Sequence, residues 1–236
     1  VEELCKVLSD LKNAGHEIIL VSSGAIAVGR KKLGLRKEEM TLSKKQACAA
    51  VGQGRLMMIY EKFFSEYGQN TAQILLTKDV LANPDRRAAA ENTFNRLLAM
   101  HCIPIVNEND AISTDELTKF GGNDILSAYI AKVCHADLLI NMSDIDGLYD
   151  SDPRKNPDAR LIERVECLED VREFAGDAGS TVGTGGMVTK IRAAAIAGKA
   201  RRISVIMPML YEGRQHKRTA RESLDCALAL KELTDM

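Results

Sequence analysis

This 236-residue chain lacks most of the compositional extremes that announce a function, and each absence excludes something. It has no excess charge: 32 lysines and arginines face 33 aspartates and glutamates. Nothing in that balance calls for nucleic acid or an anionic membrane. It has no apolar run near the roughly 18 residues of a membrane-spanning helix. Its six cysteines stand singly at Cys5, Cys48, Cys102, Cys134, Cys167 and Cys226, with no CxxC pair to ligate a metal. They read as reduced core thiols of a cytoplasmic protein. Its histidines, His16, His101, His135 and His216, form no catalytic cluster. There is no internal repeat and no low-complexity linker. The opening "VEELCKVLSDLKNAG" has a helical amphipathic pattern with two early glutamates, unlike a secretory signal.

What is present is a 45% apolar content, enough for a sizeable core in one large domain or two small ones. Short, almost continuously apolar runs alternate with longer helical patterns. The runs are Glu17–Val21, Ala72–Leu76, Ile103–Val106, Asp137–Met142 and Ile203–Met207. Such runs suit strands buried on both faces of a parallel sheet. Helices are predicted over Val1–Asn13, Leu42–Tyr67, Arg86–Met100 and Asn123–His135, with Gly52 and Gly54 able to break the second in two. Strand–helix alternation predicts a doubly wound α/β sheet with helices on both sides. The loop-like "DSDPRKNPDAR", Asp150–Arg160, could separate two lobes.

In open α/β sheets ligands bind beyond the carboxyl ends of the strands, so the residues that follow each strand are the candidates. After the first comes "SSGAIAVG", with Ser22, Ser23 and Gly24 where a strand turns into a helix. Small side chains and free helical N–H groups suit an anion. An ordinary N-cap serine with a turn glycine is the plainer alternative. After the third comes "NENDAIS": Asn107, Glu108, Asn109 and Asp110 could receive an ammonium or a carboxylate, or form a solvated turn. "GGND" then puts Asn123 and Asp124 at a helix start, where Asn123 could contact substrate and Asp124 orient cationic groups, or either could merely cap the helix. Ser143 and Asp144 follow the fourth strand.

One stretch, "TVGTGGMVTK" (Thr181–Lys190), has the composition of a phosphate-holding loop. A Walker loop reads GxxxxGK[ST] after a strand, and a dinucleotide fingerprint reads GxGxxG after a strand. The spacing of Gly183, Gly185, Gly186 and Lys190 matches neither, and no strand precedes them. A mobile glycine loop opening a helix remains, with Lys190 in its first turn or so, able to reach the outer phosphates of a nucleotide. A loop lysine buries little, so replacing Lys190 is expected to leave folding nearly unchanged.

Taken together, "VSSGAIAVGR", "KQACAAVGQGRL", "PIVNENDAIS", "FGGNDILSA", "SDIDGLYDSDPRKNPDA" and "GTGGMVTKIRAA" resemble the amino acid kinase family, in the family's order and over most of the chain up to about Ala200. The resemblance implies a three-layer αβα sandwich with a mostly parallel central sheet, as a single domain over 1–236. Its glutamate side would span about 1–135 and its nucleotide side about 136–236. It implies transfer of the γ-phosphate of ATP, with Mg²⁺, to the side-chain carboxylate of L-glutamate, the first step toward proline. Carried over by position, Ser23, Asp110 and Asn123 are glutamate-binding, with Asn107 as a helper. Ser143 and Asp144 are nucleotide contacts. Thr184, Gly185, Gly186, Met187, Val188, Thr189 and Lys190 form the ATP loop. Lys190 stands near the phosphoryl group in flight, and Asp124 orients the catalytic lysines. No residue is assigned as a metal ligand, and the expected partners are small molecules and further copies of the chain. The alternatives are a sibling kinase of another carboxylate or of carbamate, and a non-catalytic binding form.

Two departures from the family pattern carry their own expectation. The family opens with a strand ending in K-x-G-[ST]-[ST], which the quoted segments here do not include. One of two phosphate-facing lysines is thus absent from the chain, and weak ATP binding with little kinase activity is expected of it alone. After Ala200 the family's nucleotide-side turn is unrecognisable, although Ile203–Met207 still reads as a strand and Glu222–Lys231 as a helix.

Overall fold

A computed structural model describes residues 1–113, 122–142, 147–151, 156–162, 165, 185–197 and 202–204. The described residues up to 113 belong to one compact unit and those from 122 to 204 to a second.

In the first unit, helix α1 (Glu2–Asn13) leads to strand β1 (Leu20–Val21), α2 (Ala25–Lys32) and the long α3 (Leu42–Glu66). Strand β2 (Asn70–Leu76), the short α4 (Lys78–Ala82), α5 (Pro84–Ala99) and β3 (Cys102–Glu108) follow. The strands form a parallel sheet in the order β1-β3-β2. Central β3 is buried from Ile103 to Glu108, as its continuous apolar run predicts. Ile103 and Ile105 share one face and pack with Cys5 of α1 and Leu56, Tyr60 and Phe64 of α3. Pro104 and Val106, alternate along the strand, are buried as well. Helix α5, which lies against β3, buries Phe94 and Leu98.

Strand β1 is shorter than the predicted Glu17–Val21. Its pairing with β3 is Leu20 with Ile105 and Val21 with Val106, continued by Ser22 N–H donating to Val106 O at 2.8 Å. Pro104 has no N–H to give, and the β1 ladder begins at the residue after it.

Helix α3 is continuous through Gly52 and Gly54, where two helices were an alternative. Thr41 caps it, accepting from Lys44 N. Gly52 is needed for space rather than for a break. A Cβ there would lie 1.7 Å from the Ala25 carbonyl oxygen of α2, and one on Gly29 of α2 would lie 1.9 Å from the Cys48 carbonyl oxygen of α3. The two helices cross backbone to backbone.

The second unit contains α6 (Asn123–Val133), β4 (Leu138–Ile140), β5 (Leu148–Tyr149), β6 (Leu161–Ile162), α7 (Gly185–Ala197) and β7 (Arg202–Ser204). Strands β4 and β7 pair in parallel, and α6 packs along α7 and against β4. Strands β5 and β6 pair in antiparallel fashion, and the described residues between them, 150–151 and 156–160, belong to this unit. The strand expected to run to Met207 is described only over Arg202–Ser204. The helix expected over Glu222–Lys231 lies outside the described residues.

Candidate active site

The carboxyl ends of β1 and β3 adjoin, so their polar followers share one end of the first unit's sheet. Neither serine caps α2. The N-cap is Gly24, with φ +99° and no side-chain cap bond, a conformation that glycine adopts without strain. Ser22 is buried, its Oγ 2.8 Å from the Tyr60 hydroxyl, while Ser23 is exposed. Burial pushes the Tyr60 hydroxyl up to about 12, against the lowering effect of its Ser22 bond. It stays protonated at neutral pH and holds Ser22 in place.

At the end of β3, Asn107 is buried. Its Oδ1 accepts from Glu108 N at 2.9 Å, and its Nδ2 donates to Gln53 Oε1 at 3.0 Å. Ser113 Oγ donates to buried Glu108 Oε1 at 3.3 Å, and Gln46 Nε2 of α3 donates to Ser113 O at 3.4 Å. Asp110, half-buried, sits in the turn these bonds hold, its N–H donating to Glu108 O at 2.9 Å. "NENDAIS" is therefore a braced polar turn rather than a merely solvated one.

In the second unit Gly122 is the N-cap of α6 and no side chain caps it, so neither Asn123 nor Asp124 has the capping role. Asn123 is the first helical residue and Asp124 the second. The Asp124 Oδ2 accepts from Lys190 Nζ at 3.1 Å and from Thr189 Oγ1 at 2.9 Å. The side chains of Lys190 and Asp124 are only 9% and 11% exposed. Here the expected loop lysine differs from the observed one. Helix α7 begins at Gly185, which puts Lys190 in its second turn, buried and ion-paired. Gly185, Gly186, Met187, Val188 and Thr189 make up the helix start instead of a free loop. The idea that replacing Lys190 would hardly touch folding is thereby corrected, because its loss would leave a buried carboxylate without its cation.

The structure thus brings Asp124, Thr189 and Lys190 into contact in one unit. In the other, Ser23 and Asp110 lie on the turns after β1 and β3, and Asn107 ends β3 itself. Ser143, Asp144 and Thr184 lie outside the described residues. Gln53 was passed over in the sequence. It falls on the buried stripe of α3 with Ala49, Leu56 and Tyr60. A lone amide at three- and four-residue spacing among apolar neighbours was the available signal.

The amino acid kinase family model matches residues 1–207. The chain is 54% identical over 201 residues to the glutamate 5-kinase of Clostridium perfringens, covering 84% of this chain and 75% of that protein. It is 54% identical over 201 residues to the glutamate 5-kinase of Clostridium tetani, covering 85% and 75%. For the glutamate 5-kinase of Lactococcus lactis subsp. cremoris the identity is 50% over 200 residues, covering 83% and 74%. Among solved structures, a product complex of the T. acidophilum isopentenyl phosphate kinase superposes with a TM-score of 0.55 at 16% identity, over 87% of this chain and 80% of that one. That last likeness is one of fold, and it agrees with the parallel α/β architecture. From the family match and the relatives together, the chain belongs to the amino acid kinase family.

Proposed function

We propose that this chain is an ATP-dependent kinase of the L-glutamate γ-carboxylate, making L-glutamyl 5-phosphate and ADP, the first step of proline biosynthesis. The observation that carries the reading is the 54% identity to glutamate 5-kinases over 84% of the chain. The buried Lys190–Asp124 pair supports the phosphoryl-transfer chemistry.

A glutamate γ-carboxylate is ionised at neutral pH and needs no general base. One of its oxygens attacks the γ-phosphorus of ATP, and the bond to the β,γ-bridging oxygen breaks as ADP leaves. The work left to the protein is to align two anions and to neutralise charge on the group in transfer. Lys190 supplies a positive charge for that purpose. Asp124 and Thr189 fix its direction, since a lysine otherwise has a flexible stem. In the first unit Ser23, Asp110 and Asn107 bind the amino acid, Asp110 taking its ammonium; in the second, Asn123 carries the same assignment. Ser143, Asp144 and the stretch Thr184–Lys190 serve the nucleotide.

Mg²⁺ would arrive on the nucleotide phosphates and neutralise part of their charge. It keeps several waters and takes few protein ligands. Among the described residues no helix is long and apolar enough to cross a membrane. A cytoplasmic homo-oligomer is the form we assign.

The test is ADP release with a panel of L-glutamate, L-aspartate, N-acetyl-L-glutamate and carbamate. Any turnover is expected to be restricted to L-glutamate. Turnover with another acid would make the chain a sibling kinase. Acid binding without any turnover would favour a non-catalytic form.

A further inference from the structure

The bonding around Asn107 fixes the direction of a neighbouring amide. Asn107 Oδ1 is committed to the Glu108 N–H, so its other side-chain atom must be the NH₂ group. That NH₂ donates to Gln53, so the Gln53 atom facing Asn107 must be Oε1. Nε2 of Gln53 then points away from Asn107 with its N–H donors. It is buried and has no hydrogen-bond partner among the described residues. Gln53 as a whole is only 7% exposed.

A buried donor without an acceptor is costly, and the network has polarised this one. The links run one way, from Glu108 N–H to Asn107 and from Asn107 to Gln53, which leaves the Gln53 Nε2 donors unused among the described residues. Its location is the polar end of β3, beside the turn that carries Asp110. A group with donors only, held rigid on a long helix, suits an acceptor-only anion such as a carboxylate.

We infer that Gln53 is a substrate-binding residue whose Nε2 donates to a carboxylate oxygen of the amino acid substrate, oriented by the relay from Glu108 N–H through Asn107. This rests on the reading of the chain as a kinase of an acidic amino acid. It adds a residue of α3 to the turns after the strands.

Two substitutions separate donation from anchoring. Gln53→Met has similar size and removes both. Gln53→Glu keeps an acceptor for Asn107 and replaces the outward donors with negative charge. With each, KM for L-glutamate and for ATP is measured by ADP release, and the rise in melting temperature on adding L-glutamate alone or ATP alone is recorded. For Gln53→Met the glutamate KM is expected to rise roughly 10- to 100-fold, the scale of a hydrogen bond to a charged group. In Gln53→Glu it should rise further, by repulsion. KM for ATP should stay within about twofold, and stabilisation by glutamate should vanish while that by ATP persists.

An unchanged glutamate KM in Gln53→Glu, or equal rises for both substrates, would overturn the inference. If Gln53→Met does not fold, Gln53→Glu decides alone. The wild-type acid panel keeps the two readings apart. A wild type that phosphorylates a different acid would defeat the glutamate assignment, and Gln53 would then be judged by the KM for that acid. A wild type with no turnover would defeat the kinase assignment, and the thermal shift with each acid would judge Gln53.

Discussion

Replacing Lys190 disturbs chemistry and packing together, and a second substitution separates them. If Lys190 stabilises the transferring phosphoryl group, Lys190→Met should lower kcat by roughly 10²- to 10³-fold, the scale of one preorganised electrostatic contact. It should also cost about 3–5 kcal/mol of stability, since Asp124 would remain as a buried charge without its cation. Adding Asp124→Asn should return much of that stability and none of the activity. Chemical denaturation of the single and double variants checks the first statement, and ADP release checks the second. Near-normal turnover in Lys190→Met would remove it from catalysis. Asp110 gives a cleaner case, because it is half-buried in a turn braced by backbone bonds. Asp110→Asn should raise the glutamate KM far more than the ATP KM, and equal effects would make it a structural turn residue. Both residues were singled out in the sequence because charge placed after strands and at helix starts is a recognisable pattern. Burial of Lys190 was not, because a glycine-rich stretch reads as exposed loop until it is seen that Gly185 already begins a helix.

Elements were legible where one physical signal dominated. Continuous apolar runs marked β2, β3 and β4, and α1, α3 and α6 followed their periodicity. Strands β5 and β6 are two residues each and have no period to detect. Helix α5 begins at Pro84, ahead of the predicted Arg86, and its signal was present in "ANPD". Asn83 caps Asp85 and Arg86 N–H groups, with Pro84 at the first helical position. The glycines of α3 left a break in the helix open as an alternative, yet two roles hide under one letter. Gly52 lies against the backbone of α2, while a Cβ on exposed Gly54 would meet nothing within 4 Å. Gly52→Ala should therefore force the helices apart and destabilise the chain by at least about 1–3 kcal/mol. Gly54→Ala should stabilise it by roughly 0.5–1 kcal/mol, because alanine loses less freedom in a helix. Urea midpoints of the two variants in parallel test this, and a tolerant Gly52→Ala would mean that the α2–α3 crossing is looser than described.

At the scale of the whole chain, the α/β class followed from element order, but the division between units did not. It falls between the described residues 113 and 122, and the described part of the proline-containing stretch that looked like a boundary, 150–151 and 156–160, belongs to the second unit. Loop composition reports exposure, whereas a unit boundary depends on which long-range contacts close, and local sequence does not encode those. The first unit's core makes one further property of the molecule predictable. Tyr60 and Cys5 are fully buried in the same cluster. Burial raises the Tyr60 hydroxyl from 10.0 to about 12 and the Cys5 thiol from 9.0 to about 11. Both groups are neutral when protonated, so the folded chain retains these protons at a pH where the unfolded chain has released them. Their contribution is intact below the unfolded values and is lost as pH rises from about 9 toward 12. Each group removes up to about 1.4 kcal/mol per pH unit within its own window. The melting temperature should thus be level near pH 8 and fall steeply above pH 9–10. Tyr60→Phe should be less stable than wild type at pH 8, because Ser22 loses its bond to the Tyr60 hydroxyl, but its decline above pH 10 should be shallower. A wild-type melting temperature that stays level through pH 11, or a Tyr60→Phe curve parallel to it, would mean that these groups titrate freely and that the core beneath the candidate site is open to water.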